Sequence, residues 1–362
     1  MSGEPVTRLA VLWSHLSGYL NACLRECSRR DVELFTSWLR TSGSAPFDET
    51  SFAWLRTKNS REWDSSEAID GKDLLAGLEA FRPQMILVSG WNHPGYRAVA
   101  KHFAGRATRI LCMDNPWEET PKQWLGRLVA PWYVKPLFDG AFVAGERQFQ
   151  FARRLGFDDS QILTGLYAPD AEAFRPPSDL DPESRKGFLF VGRLSPEKGV
   201  ATLAEAYRIY RATSTSPWTL AVAGTGPLRS LLEGIEGVNL LGFVQPAHLP
   251  ALMHSKGCLV VPSLREPFGV QIAEGASAGM AIIATSACGA SVHLVRSGFN
   301  GQVLAAGDPV ALADALVKIE SCPRRSAMTK ASQALAGQFT PAIWSSNLLS
   351  WQTRSVPKRA GS

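Results

Sequence analysis

Glu266 and Glu274 stand eight residues apart in the stretch PSLREPFGVQIAEGASAGM (262–280), on either side of a Pro-Phe-Gly turn. A carboxylate accepts paired hydrogen bonds from vicinal hydroxyls, so two carboxylates at this spacing suit a ligand with hydroxyls at both ends. The apolar run CLVVPS (258–263) feeds the turn and a small-residue segment follows it, the pattern of strand, loop and helix. Such a junction aims free backbone N–H groups and the positive end of a helix dipole at whatever lies over the loop. With a phosphate over the N–H groups of Phe268, Gly269 and Val270, Glu266 and Glu274 flank it on two sides, one placed for a sugar and the other for a ribose.

Three further motifs precede this stretch, each at the end of an apolar run: GRLSPEKG (192–199), GTGP (224–227) and the GF of LLGF (242–243). Together with EPFGVQIAE (266–274) they resemble, in register over roughly 188–320, the donor domain of retaining glycosyltransferases of the GT-B fold, which includes bacterial glycan and lipid mannosyl- and glucosyltransferases. The resemblance implies that Arg193 and Lys198 contact a donor diphosphate, that Glu266 holds hydroxyls of the transferred sugar, and that Glu274 holds those of the ribose. It also implies that Gly192 and Gly269 admit the phosphates close to the backbone and that Gly224 and Gly226 shape the adjacent loop. Thr225 stands where the family often has an acidic residue and takes no role. Departure of a nucleoside diphosphate builds negative charge, which a fixed Arg and Lys neutralise without a metal. No Asp-x-Asp pair stands in a matching place, so neither a metal nor a cofactor is expected, only a UDP-, GDP- or ADP-linked sugar as donor substrate. The family reading is attack on the same face, with the leaving phosphate taking the acceptor's proton.

In the first half the resemblance is one of outline. Family members place a His or an acidic residue at the end of the strand that here reads TRILCMD, so Asp114 is the candidate to orient a hydroxyl acceptor, with His93 next. The acceptor class is a glycan, a glycolipid or a small molecule. Either side chain could equally cap a loop. Gly18 opens the first strand-to-helix junction, where close approach to a ligand needs a small residue.

The elements that must position these groups alternate along the chain. Strands are read at 8–14, 32–38, 85–89, 108–114 and 140–145, with helices at 74–81, 96–103 and 146–155; the polar region 41–68 resists assignment. A Pro/Asp/Ser-rich stretch, 168–187, reads as a linker, after which strands restart at 188–192, 219–224, 238–243, 258–263 and 281–285, with helices near 200–212, 227–234, 247–254, 291–297 and 309–320. Two such runs predict two Rossmann-like, doubly wound α/β domains facing a cleft: 1–175 for the acceptor and 176–335 for the donor, with a helical tail, 336–362, packed back on the first through Ile343, Trp344, Leu348 and Trp351. The segment TPKQWLGRLVAPWYVKPLF (120–138) mixes aromatic, apolar and basic residues. Packing of its Trp, Leu and Val face on the sheet is the favoured reading, and peripheral contact with a membrane is the other.

The chain has 362 residues, enough for two domains, with 45% hydrophobic and 20% charged residues and a mean hydropathy of −0.06. No run of about 18 apolar residues and no signal-peptide pattern occurs, so a cytoplasmic protein is expected, peripheral at the inner membrane face at most. The net charge of +5 favours an anionic ligand or surface but is too weak, and too poor in interleaved aromatics, for nucleic acid. The six cysteines show no metal-ligand spacing and read as buried free thiols. Two other functions fit the motifs: a nucleotide-sugar epimerase of the same fold, and a non-catalytic sugar-nucleotide-binding subunit of a glycan assembly complex. A dehydrogenase fits poorly, since neither half opens with G-x-G-x-x-G after its first strand.

Overall fold

Short runs rich in Val, Leu and Ile become parallel strands in both halves of the chain, because strands covered by helices on both faces are apolar throughout rather than alternating. The computed structural model describes residues 7–40, 49–89 and 91–353. In chain order the first elements are β1 (Arg8–Trp13), α1 (Gly18–Arg29), β2 (Glu33–Leu39), β3 (Ser60–Trp63), α2 (Gly71–Phe81), β4 (Met85–Val88), α3 (Pro94–His102), β5 (Thr108–Met113), α4 (Pro121–Tyr133), β6 (Gly140–Val143), α5 (Glu146–Arg154) and β7 (Ile162–Thr164). Then come β8 (Phe188–Val191), α6 (Val200–Thr213), β9 (Leu220–Ala223), β10 (Val238–Gly242), α7 (Leu249–His254), β11 (Cys258–Val261), α8 (Val270–Ser277), β12 (Ala281–Thr285), α9 (Ser291–Leu294), β13 (Gly301–Leu304), α10 (Pro309–Glu320), α11 (Arg325–Ala336) and α12 (Pro341–Thr353).

The chain divides into two compact units, one of Met1–Ala168 with Pro341–Ser362 and one of Pro169–Thr340. The first holds a seven-stranded parallel sheet in the order β3-β2-β1-β4-β5-β6-β7, and the second a six-stranded parallel sheet in the order β10-β9-β8-β11-β12-β13. Both are therefore Rossmann-like. In each, the strand order reverses once, between β1 and β4 in the first sheet and between β8 and β11 in the second. Loops leaving the carboxyl ends of those strands diverge to opposite faces and leave a crevice for a ligand.

Several elements differ from the sequence reading. The region 41–68 contains an edge strand, β3, paired with β2 from Thr36↔Ser60 to Leu39↔Trp63; its polar residues suit an edge, and 41–48 lie outside the described residues. Residues 227–234 make only a short 3-10 turn (Arg229–Leu231), since Gly226 and Gly234 bound a stretch too short to nucleate an α-helix. The helix near 291–297 is the short α9, ended before Gly298. The 168–187 stretch is bound into the second unit by buried Phe174 and Arg185, whose guanidinium donates to the carbonyls of Met253, Lys256, Ala278 and Gly279. In α12, Trp344, Leu348 and Trp351 are buried in the first unit, while Ile343 faces outward. Helix α4 does not pack its Trp, Leu and Val face on the sheet: Trp124, Leu125, Leu128, Val129, Trp132 and Tyr133 are all exposed, and Ala130 is its buried residue. None of the six cysteines, all among the described residues, forms a disulfide, and five of them are buried. No helix among the described residues is long and apolar enough to cross a membrane.

Candidate functional site

The loops on the two sides of the strand reversal in the second sheet carry the sequence motifs. After β8 the chain runs through Gly192, Arg193 and a short 3-10 turn (Pro196–Lys198) into α6; after β11 it runs through Pro262–Gly269 into α8. The two loops touch at Gly199. A Cβ there would sit 1.9 Å from the Pro262 carbonyl oxygen, and its φ of 70° suits glycine. The Leu264 and Arg265 N–H groups donate to the Glu197 carbonyl at 2.9 and 3.1 Å, which fixes one loop on the other.

This contact places Lys198 Nζ 2.5 Å from Glu266 Oε2. Both side chains are largely covered, and Gln271 Nε2 donates to the same oxygen at 3.2 Å, while no partner of Oε1 is seen among the described residues. Arg193, five residues before Lys198, is exposed; its carbonyl accepts from Ser195 N–H at 3.0 Å, and its guanidinium has no ion-pair or hydrogen-bond partner among the described residues. The sequence reading treats Lys198 and Glu266 as separate groups on a ligand; the structure joins them. Gln271 carries no signal in sequence beyond being a polar residue between apolar neighbours.

Gly269 caps α8 with φ 97°, and no side chain caps that helix. The N–H groups of Gly269 and Val270 donate to no protein acceptor among the described residues, as expected of a first helical turn. Phe268 is buried, its ring 6.0 Å from that of Phe339 and its carbonyl accepting from Ala290 N–H at 2.7 Å, so it anchors the turn. Glu274 lies one turn into α8, half-buried, with no side-chain partner among the described residues; burial pushes its carboxyl up to about 7. Gly224 packs its backbone on the first loop: a Cβ there would lie 1.8 Å from the Gly192 carbonyl oxygen, and one on Gly226 would lie 2.4 Å from that of Leu194. Gly192, Gly224 and Gly226 thus hold the loops after β8 and β9 together. Among the described residues, no three His, Cys, Asp or Glu side chains are gathered as metal ligands.

In the first unit the predicted residues form two separate groups at carboxyl strand ends. His93 is the N-cap residue of α3, but its side chain makes no capping hydrogen bond; its Nε2 is 3.3 Å from Ser14 Oγ, which is 2.9 Å from Ser89 Oγ, so the strand reversal between β1 and β4 is lined by hydroxyls and an imidazole. Burial, and then the neighbouring His15, lower the His93 pKa. Asp114, just past β5, accepts from Tyr167 Oη at 2.8 Å through Oδ2, and its carbonyl accepts from Gln148 at 2.7 Å. Tyr167 also meets the Tyr19 ring at 4.7 Å between centroids, and burial, then Tyr19 and Asp114, raise its phenol well above the ordinary value, keeping it a donor. Neither Tyr167 nor the serines could be found by spacing, because 53 residues separate Tyr167 from its partner. Gly18 begins α1 at the exposed rim, where Ser17 caps the helix by accepting from Leu20 N–H.

Residues 172–334 match the family model described as glycosyl transferases group 1. A phosphatidyl-myo-inositol mannosyltransferase of Mycobacterium leprae is 31% identical over 198 residues, which span 53% of this chain and about half, 52%, of that relative. A D-inositol 3-phosphate glycosyltransferase of Frankia alni is 28% identical over 383 residues, covering 89% of this chain and 91% of the relative. Among solved structures, Anabaena HepE in complex with UDP superposes with a TM-score of 0.74 at 17% identity, over 96% of this chain and 99% of that one. The loops that carry Arg193, Lys198, Glu266 and Glu274 all fall inside the matched segment, so within a chain of GT-B fold it is residues 172–334 that resemble the glycosyl transferases group 1.

Proposed function

We propose that the protein transfers a sugar from a nucleoside-diphosphate sugar to a hydroxyl acceptor, with retention of anomeric configuration and without a metal ion. The observation that carries this reading is the Lys198–Glu266 contact at 2.5 Å, set beside the exposed Arg193 guanidinium and the open first turn of α8. The leaving diphosphate meets Arg193, Lys198 and the N–H groups of Gly269 and Val270, so its growing charge is stabilised by groups already in place. Glu266, with Oε1 uncommitted, receives hydroxyls of the transferred sugar; Glu274 receives those of the ribose. The bond from the anomeric carbon to the diphosphate oxygen breaks, the acceptor oxygen bonds that carbon on the same face, and the acceptor's proton passes to the departing phosphate. Asp114, held by Tyr167, orients the acceptor hydroxyl, with His93 at the neighbouring strand end.

The solved relative holds UDP, which makes a uridine nucleotide the first donor to try. A thermal-shift screen of UDP, GDP and ADP sugars is expected to single out one nucleotide by stabilisation through mass action. NMR of the product formed from that donor should show retained configuration, and inversion overturns the same-face reading. Activity should survive a chelator; loss restored by Mg²⁺ overturns the metal-free reading. Incubation with donor alone should release free sugar slowly, whereas an epimerised sugar nucleotide would assign the protein to the epimerases.

A further inference from the structure

We propose that helix α4 is a docking face for an anionic lipid bilayer. At about 100° per residue, Trp124, Leu125, Leu128, Val129, Trp132 and Tyr133 spread over roughly half of the helix circumference. All six are exposed, Leu125 at 63%, Leu128 at 67% and Trp132 at 79%. The opposite face carries Gln123, Gly126, Ala130 and Val134, of which Ala130 and Val134 are buried. This helix is inverted: small residues face the protein and the large apolar ones face out, the reverse of a surface helix on a globular core.

Charge selects the occupant. Residues 120–138 contain Lys122, Arg127 and Lys135 and no Asp or Glu. Arg127 lies 5.3 Å from the centre of the Trp124 ring, and Arg97, from α3, stacks 4.0 Å from that of Tyr133. The nearest carboxylates in sequence are Glu118 and Glu119 before the helix and Asp139 after it, the last held by Arg109. Indole and phenol rings bordered by cations match the boundary between acyl chains and anionic headgroups, where amphipathic rings settle and phosphates pair with Lys and Arg. A second copy meeting this face about a two-fold axis would instead bring its own cations against them. The inference is independent of the transfer reaction.

The test is flotation of the full chain with vesicles of phosphatidylcholine alone and of phosphatidylcholine mixed with phosphatidylglycerol, at low and high salt. The protein is expected to float with the anionic vesicles and to lose part of that binding as salt rises. The double variant Leu128→Ser/Trp132→Ser should lose about tenfold or more of its vesicle partitioning, since each deleted apolar side chain removes transfer energy of that order. Its melting temperature should not change, because both side chains are exposed. Lys122→Glu/Arg127→Glu should abolish the preference for anionic over neutral lipid. The proposal is overturned if the wild type stays with neither vesicle or if the Leu128/Trp132 variant floats as the wild type does. It is also overturned if sedimentation shows instead a concentration-dependent dimer that this variant abolishes.

Discussion

Lys198 and Glu266 neutralise each other in the free protein, and that mutual contact sets what each substitution should do. Lys198→Ala removes a cation whose value grows as the diphosphate leaves, so kcat should fall about a hundredfold with a smaller change in KM. A change in KM alone would exclude that role. The same substitution strips a buried carboxylate of its ion pair and should cost about 1–3 kcal/mol of stability in denaturant titration. Glu274 behaves differently, because its pKa stands near 7 through burial. A carboxyl whose folded pKa is raised binds its proton more tightly in the folded state, so it favours folding at low pH and that contribution is lost as pH rises from the ordinary value of 4.5 to about 7. Glu274→Gln should therefore raise the melting temperature at about pH 8, with little difference near pH 4. It should also weaken nucleoside diphosphate binding by calorimetry, and wild-type affinity should fall as pH drops through 7 if the ionised carboxylate holds the ribose. Unchanged affinity in the variant would refute that assignment.

Between elements, the decisive contact is the touch of the loop after β8 on the loop after β11 at Gly199. A Cβ at this position meets the Pro262 carbonyl at 1.9 Å, so Gly199→Ala must part the loops or shift the backbone. A loss of about 2 kcal/mol or more is expected, with turnover falling because Lys198 and Glu266 are carried by the parted loops. Wild-type stability and activity together would show that the loops tolerate separation. In the first sheet, Tyr167 comes from just past the end of β7, two strands away, to hold Asp114 at the end of β5. Tyr167→Phe removes the hydrogen bond to Asp114 while keeping the ring on Tyr19 and should lower kcat by about tenfold without altering donor affinity, if Asp114 orients the acceptor.

On the scale of the whole molecule, the last described helix belongs to the first unit although the second lies between them in sequence. Trp344 is buried against Phe142 of β6, its indole N–H donating to the Leu166 carbonyl at 2.9 Å, and the Trp351 ring fills the space a Cβ on Gly140 would take. Trp344→Ala should destabilise the protein by about 3–5 kcal/mol in thermal or denaturant unfolding. A loss below about 1 kcal/mol would mean that α12 contributes little to the first unit's core.

Chain order and local pattern were enough to read most strands, the two β/α runs and the motif residues of the second unit, because buried parallel strands are continuously apolar and phosphate-type loops need glycine at set positions. The same local signals misjudged α4: its Trp, Leu and Val spacing is that of a core-facing helix, and only the packed structure shows Ala130 turned inward and the large side chains turned out. Sequence likewise named Glu266, Glu274, Arg193, Lys198, Asp114 and His93 one by one. Which of them meet was decided by the order of the strands: the reversal in the second sheet brings Lys198 to Glu266 across 68 residues, while the β5-β6-β7 order in the first brings Tyr167 to Asp114 across 53 and leaves His93 in a separate hydrogen-bond network at the β1–β4 reversal. Residue type and spacing determine the chemistry available, whereas contacts between residues far apart in the chain depend on how the sheet orders its strands.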